Sequence, residues 1–197
     1  MQIPTLSDIT ELHQKYAPDE VALESVWTHC QIVRDLSLQI AENITDINIE
    51  LLTAGALLHD IGVYKLYIGG VLDTANYITH GLRGYELLQK EYLDDSVCRF
   101  ALLHTGVGIS KQEVIDQKLP IPARNYIADT MEEKIVMYAD KFHSKTTPPT
   151  FNSGAWYAEN IRSKFGELKA QQFKQFITKF GEPDLSQLAQ RYSHNIR

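Results

Sequence analysis

Residues 47–62 read INIELLTAGALLHDIG. Leu51, Leu52, Ala54, Ala56, Leu57 and Leu58 leave no polar stripe along this stretch, as expected of a central helix buried on all sides. Two ionisable side chains, His59 and Asp60, follow at its C-terminal end, and Gly62 closes it. A buried carboxylate without a partner is costly, so Asp60 requires a cation or strong donors. A metal ion is the economical partner. Imidazole beside carboxylate suits borderline and hard divalent ions, and no thiolate stands nearby in the sequence to shift the preference toward softer metals. A hydrogen-bonded His–Asp pair at a helix end is the simpler alternative, and it accounts for these two residues only.

Outward from this stretch, apolar residues recur at steps of three and four rather than two, so the chain reads as nearly all α-helical. A short helix is predicted after Ser7, whose side chain would cap the amides ahead of Ile9, Leu12 and Tyr16. A longer one is predicted over 19–42, with Val26, His29, Cys30, Val33 and Ile40 along one stripe. Further helices are predicted over 80–91, 94–104, 111–117 and 132–143, the last opened by a capping box of Thr130 and Glu133. The segment 146–153, with Pro148 and Pro149, reads as a lid, a specificity wall or a plain connector. Helices over 155–165, 167–180 and 184–192 read as amphipathic packing elements. With no repeat and no Gly-, Ser- or Pro-rich linker, one domain over 1–197 is expected, its motif-bearing core at about 20–145 and its packing helices at about 154–193.

The composition bounds the function. Hydrophobic residues make up 44% and charged residues 22% of the 197, which excludes collagen-like, low-complexity and disordered classes. The 25 acidic against 19 basic side chains give a net charge of −6, which counts against nucleic acid as a bulk partner. No stretch reads as a membrane span or a secretion signal, and Cys30 and Cys98 sit in apolar runs without CxxC spacing. Buried thiols in a reducing, cytoplasmic compartment are the expectation.

Taken in order, His29, then His59-Asp60-Ile61-Gly62, His80 in THGLRGYELL, His104 in ALLHTG and Asp140 in VMYADKF run through about residues 20–145. This ordered set resembles the HD-domain superfamily of metal-dependent phosphohydrolases in its HDIG-type form. The resemblance implies an all-α, compact helical bundle in which His29, His59, Asp60 and Asp140 hold one metal ion. His80 and His104 look like the second-site ligands of the dinuclear branch, where the Asp of the HD pair bridges both ions. One or two divalent ions are implied, with Fe or Mn favoured and Mg or Zn compatible, and Asp60, His80 and His104 take catalytic roles. Two positions depart from the pattern. Val63 stands where a lysine often follows HDIG, with Lys65 two positions later, and HTGVGIS follows His104 in place of the GYP signature, which argues against a cyclic dinucleotide.

Two divalent ions set against Asp60, Asp140 and one hydroxide leave a net positive centre, which suits a phosphoryl group. No Ser, Cys or Thr stands in a recognisable nucleophile–base arrangement. The expected reaction is therefore attack of a metal-activated water on a phosphate ester or anhydride of a small nucleotide or related metabolite. A diiron oxygenase of the same fold and a non-catalytic nucleotide-binding regulator are the alternatives. Arg83, Lys141 and Lys65 are the candidate substrate-binding cations, while Lys111, Arg124 and Lys145 also flank predicted helix ends. His143, three residues past Asp140, is placed near the site, and His13 and His194 in peripheral helices. A homodimer through a helix such as 167–180 stays open.

Overall fold

The computed structural model describes residues 2–197, which form ten α-helices and five two-residue strands. The first seven helices are α1 (Leu6–Tyr16), α2 (Glu20–Ala41), α3 (Ile49–Leu58), α4 (His80–Lys90), α5 (Asp95–Leu103), α6 (Lys111–Asp116) and α7 (Met131–Ala139). They are followed by α8 (Gly154–Phe165), α9 (Glu167–Phe180) and α10 (Ser186–Tyr192). The all-α reading holds. Asn48 opens α3 by accepting a hydrogen bond from the Leu51 amide at 3.0 Å, and the helix is then buried on nearly every side by α1, α2, α5 and α7. Thr130 and Glu133 form the expected capping box of α7.

Two boundaries differ from expectation for local reasons. Thr5, not Ser7, caps α1, because Asp8 stands three residues on and returns a bond to the Thr5 amide at 2.8 Å. The helix expected over 132–143 stops at Ala139, continues as a 3₁₀ turn over Asp140–Phe142, and gives way to strand β3 (His143–Ser144). There the Asn152 amide donates to the Phe142 carbonyl at 2.9 Å and the Asn152 side chain donates to the Lys141 carbonyl at 2.9 Å, so the following segment captures the backbone groups a helix would use. β3 pairs antiparallel with β4 (Thr150–Phe151), which pairs parallel with β5 (Asn195–Ile196). A second hairpin joins β1 (Tyr67–Ile68) to β2 (Val71–Leu72). None of these strands follows from periodicity, being too short to show one.

Gly62 has a specific task. A Cβ there would stand 2.0 Å from the His80 carbonyl oxygen and 2.3 Å from the Gly84 amide, so only glycine lets the start of α4 press onto the 3₁₀ turn Ile61–Leu66 that follows Asp60. Cys30 and Cys98 are buried and free. Among the described residues no helix is long and apolar enough to cross a membrane.

Candidate metal centre

Five of the six motif side chains stand at helix ends. His59 caps α3, Asp60 precedes the following 3₁₀ turn, His80 opens α4, His104 caps α5 and Asp140 caps α7. His29 alone lies within a helix, α2. The ends converge around Asp60, whose two carboxylate oxygens face opposite ways. Its Oδ2 lies 3.4 Å from His29 Nε2 and 3.8 Å from His59 Nε2, while its Oδ1 lies 3.4 Å from His80 Nε2 and 3.5 Å from His104 Nε2. Asp140 Oδ1 completes the first lobe, 3.0 Å from His29 Nε2 and 3.6 Å from His59 Nε2. Two ligand groups result, His29–His59–Asp140 and His59–Asp60–His104, each with donor atoms within 4.8 Å of one another.

The hydrogen bonds on the far sides of the rings fix what those nitrogens offer. Nδ1 of His59 donates to the Ala56 carbonyl at 2.7 Å, that of His80 to Tyr77 at 2.6 Å and that of His104 to Phe100 at 3.1 Å. With the proton held on Nδ1, the Nε2 of each ring points its lone pair inward whenever the ring is neutral. His80 Nε2 and His104 Nε2 then meet at 2.9 Å with Asp60 Oδ1 beside them, three acceptors and no donor. A proton on one of the two rings or a metal ion reconciles such a group. A coordination sphere with metal–nitrogen bonds of about 2.0–2.1 Å sets neighbouring donors about 3.0–3.4 Å apart, which matches these separations.

His29 is held differently. Its Nδ1 lies 2.8 Å from His143 Nδ1, and His143 Nε2 lies 3.0 Å from His194 Nδ1. If His29 Nε2 keeps its lone pair for the centre, the protons are assigned in sequence: His29 Nδ1 donates to His143, and His143 Nε2 donates to His194. The turn from 3₁₀ to strand at His143 is what aims this ring at His29. His143 thus lies where expected. His194 is half-exposed and precedes β5, and His13 is fully buried, bonded to Tyr64 and to the Leu57 carbonyl, a structural link between α1 and α3.

Burial pushes the imidazoles of His29 and His80 down to about 4 and lowers His104 as well. Burial also opposes charge on His59, but Cys30, Asp60 and Asp140 around it outweigh that and hold it well above the usual imidazole value. In the absence of an ion, a proton therefore stands in the first lobe. Asp60 and Asp140 are raised by burial, yet the cations beside them, Lys145 and Lys141 foremost, hold both well below the usual carboxylate range.

Of the two lysines at the centre, Lys141 is among the expected substrate-binding cations and Lys145 only among the flanking ones. Lys141 donates to Asp140 Oδ2 at 2.5 Å and to the His104 carbonyl at 2.9 Å. Lys145 donates to Asp60 Oδ2. Lys145 reaches the carboxylate across 85 residues through the β3–β4 hairpin, so no local signal distinguishes it from the other flanking cations. Both lysines line a cavity of about 870 Å³ that opens onto Asp60, His80, His104 and Asp140. Thr146, Thr147 and Asn152 line it too, so the segment 146–153 is a wall of the cavity. Arg83 and Lys65 do not line it. Arg83 is exposed and bonds Thr79 Oγ1 at 3.0 Å, and Lys65 lies 4.6 Å above the Tyr16 ring, the two sharing a small surface pocket instead. That placement does not suit contact with a substrate held in the large cavity, because neither side chain lines it.

The sequence matches the HD domain family over residues 26–145. The chain belongs to the HD-domain family. Among curated proteins, this HD-domain chain is 37% identical over 140 residues to a tRNA (cytidine(56)-2'-O)-methyltransferase of Picrophilus torridus, covering 66% of the chain and 38% of the relative. It is 36% identical over 138 residues to the protein of the same name from Thermoplasma volcanium, covering 70% and 36%. An uncharacterised protein of Methanocaldococcus jannaschii is 35% identical over 121 residues, 59% of this chain and 65% of its own length. The alignments thus take in little more than a third of the two methyltransferases. Among solved structures, the HD domain of the L. monocytogenes phosphodiesterase PgpH superposes with a TM-score of 0.55 at 18% identity, over 93% of this chain and 98% of that one. Its complex with cyclic-di-AMP gives 0.54 at 18%, over 96% and 99%. That likeness is one of fold.

Proposed function

We propose that this HD-domain protein is a metal-dependent phosphohydrolase that cleaves a phosphate ester or anhydride of a small nucleotide or related metabolite. The observation that carries the reading is the splayed carboxylate of Asp60, with one oxygen toward His29 and His59 and the other toward His80 and His104. His29, His59, Asp60 and Asp140 would hold one divalent ion, and Asp60, His80 and His104 a second. Fe or Mn suits this mixed imidazole–carboxylate set best, and Mg or Zn is compatible with it. When bound, the ions would supply Lewis acidity and lower the pKa of a water toward about 7, so that it could attack phosphorus.

The chain's own groups do the rest. The carbonyls of Ala56, Tyr77 and Phe100 hold the imidazole tautomers, so ligand lone pairs are in place before substrate arrives. Lys141 and Lys145 put two ammonium groups where phosphoryl oxygens would lie, and this favours a phosphate substrate over dioxygen chemistry at a neutral organic one. A neighbour of the same fold binds a nucleotide, cyclic-di-AMP, which supports the nucleotide class of ligand while its internal diesters are not what this cavity is proposed to take. The methyltransferase name belongs to relatives that this chain matches over little more than a third of their length.

The test is a screen of phosphate esters and anhydrides with protein loaded separately with Mn, Fe, Mg and Zn, run in oxygen-18 water. Label in the released phosphate is expected. A screen without turnover, together with oxygen consumption by the ferrous protein, would overturn the reading.

A further inference from the structure

Asp60 and Asp140 each carry a lysine, and both lysines come from the one segment that begins at Asp140. Once the histidines are neutral, as metal binding requires, the two carboxylates and two ammonium groups sum to zero. Every charge that the bound ions bring is then left over for substrate and attacking water. Without the lysines the carboxylates would cancel one ion's worth, as the sequence alone suggests. The cavity extends the same bias. In a chain of net charge −6, its acidic lining among the described residues is Asp60 and Asp140, whereas Lys141, Lys145, Lys164 and Arg197 all line it.

A single ester bond is the chemical difference between a terminal phosphoryl group, which carries two negative charges, and an internal diester, which carries one. We infer that this cavity selects a terminal phosphoryl group, a phosphomonoester or the end of an oligophosphate chain, over an internal phosphodiester, and that Lys145 is the residue that enforces the choice. With Asp60 claimed by ions, the Lys145 ammonium loses its counter-ion in a largely buried position, at 17% side-chain exposure, and an additional phosphoryl oxygen supplies the replacement. A diester has one anionic charge fewer and an alkylated oxygen at that point. Each lysine keeps one neutral partner, Lys141 the His104 carbonyl and Lys145 the Tyr77 hydroxyl, and Lys145 is the more selective because its counter-ion is Asp60, the carboxylate that both ions would claim. The inference rests on the phosphohydrolase reading for its ions but concerns binding rather than turnover.

The probes are phenylphosphonate and its methyl ester, which share an aryl group and an inert phosphorus–carbon bond and differ by one charge. Tyr77, Trp156 and Tyr157 on the cavity wall give the ring a place. Calorimetry on the full chain loaded with Mn should show phenylphosphonate bound about tenfold or more tightly than the ester. Lys145→Gln should remove most of that preference by weakening phenylphosphonate, with Mn content unchanged by elemental analysis, and Lys145→Arg should keep it. Equal binding of the two probes by the unaltered protein, or an equal loss of both in Lys145→Gln, would overturn the inference, and the first comparison needs no variant to fold. A clear binding preference together with a screen of phosphate esters and anhydrides without turnover and oxygen consumption by the ferrous protein would instead sink the hydrolase reading and leave the selectivity standing.

Discussion

Asp60 and Lys145 form a pair in which neither member is comfortable alone. Breaking a buried ion pair by removing one partner strands the other, at a cost on the order of 3 kcal/mol. Asp60→Ala should therefore lower the stability of the metal-free protein by about that amount in denaturant titrations and abolish metal retention. Adding Lys145→Met to it should restore much of the stability and none of the metal. The histidines make a separate statement. His13, His29 and His80 are depressed to about 4 from an unfolded value of 6.5, so between pH 6.5 and 4 the unfolded chain binds more protons than the folded one. Their stabilisation is complete above 6.5 and is lost as pH falls toward 4, each group contributing up to about 1.4 kcal/mol per pH unit in that window. His59, whose value is raised, is protonated in both states there and does not offset the loss. Denaturation midpoints of the metal-free protein should fall steeply below pH 6.5, and a flat profile from 6.5 to 4.5 would contradict this assignment.

At the scale of elements, the centre is assembled by helix ends that glycine and short strands bring together. Gly62→Ala would drive a Cβ into the His80 carbonyl, so α4 must shift away from the turn after Asp60. The expected result is a loss of about 1–3 kcal/mol and a drop in bound metal from loss of the His80 ligand, read by calorimetry and elemental analysis. The hairpin β3–β4 and the strand β5 set the His29–His143–His194 row. His143→Leu should weaken metal binding by about 10-fold or more, and His143→Asn, which both accepts and donates, should recover part of it. The apolar run of α3 was legible in the sequence because a burial pattern is local, and the His and Asp positions were legible through the resemblance that their order carries. The hairpin was not, since two-residue strands have no period, and with it went any reason to prefer Lys145 among the flanking cations. Arg83 shows the opposite case: one turn after His80 is near in sequence, yet the side chain bonds Thr79 and lines a small surface pocket rather than the large cavity.

For the whole molecule, an acidic chain of net charge −6 encloses a cavity whose cations outnumber its acids, and those acids are the proposed ion ligands. The fold it shares with the phosphodiesterase HD domain, at a TM-score of 0.55, sets the frame for this arrangement, while the lysine-bearing segment 140–145 gives the cavity its own charge. Everything turns on Asp60 bridging two ions. The most direct measurement is an anomalous difference map from crystals of protein purified without chelators and replenished with Mn, recorded near the Mn edge. The expected result is two peaks flanking the Asp60 carboxylate, one among His29, His59 and Asp140 and the other beside His80 and His104. A single peak, or none within reach of Asp60, would contradict it.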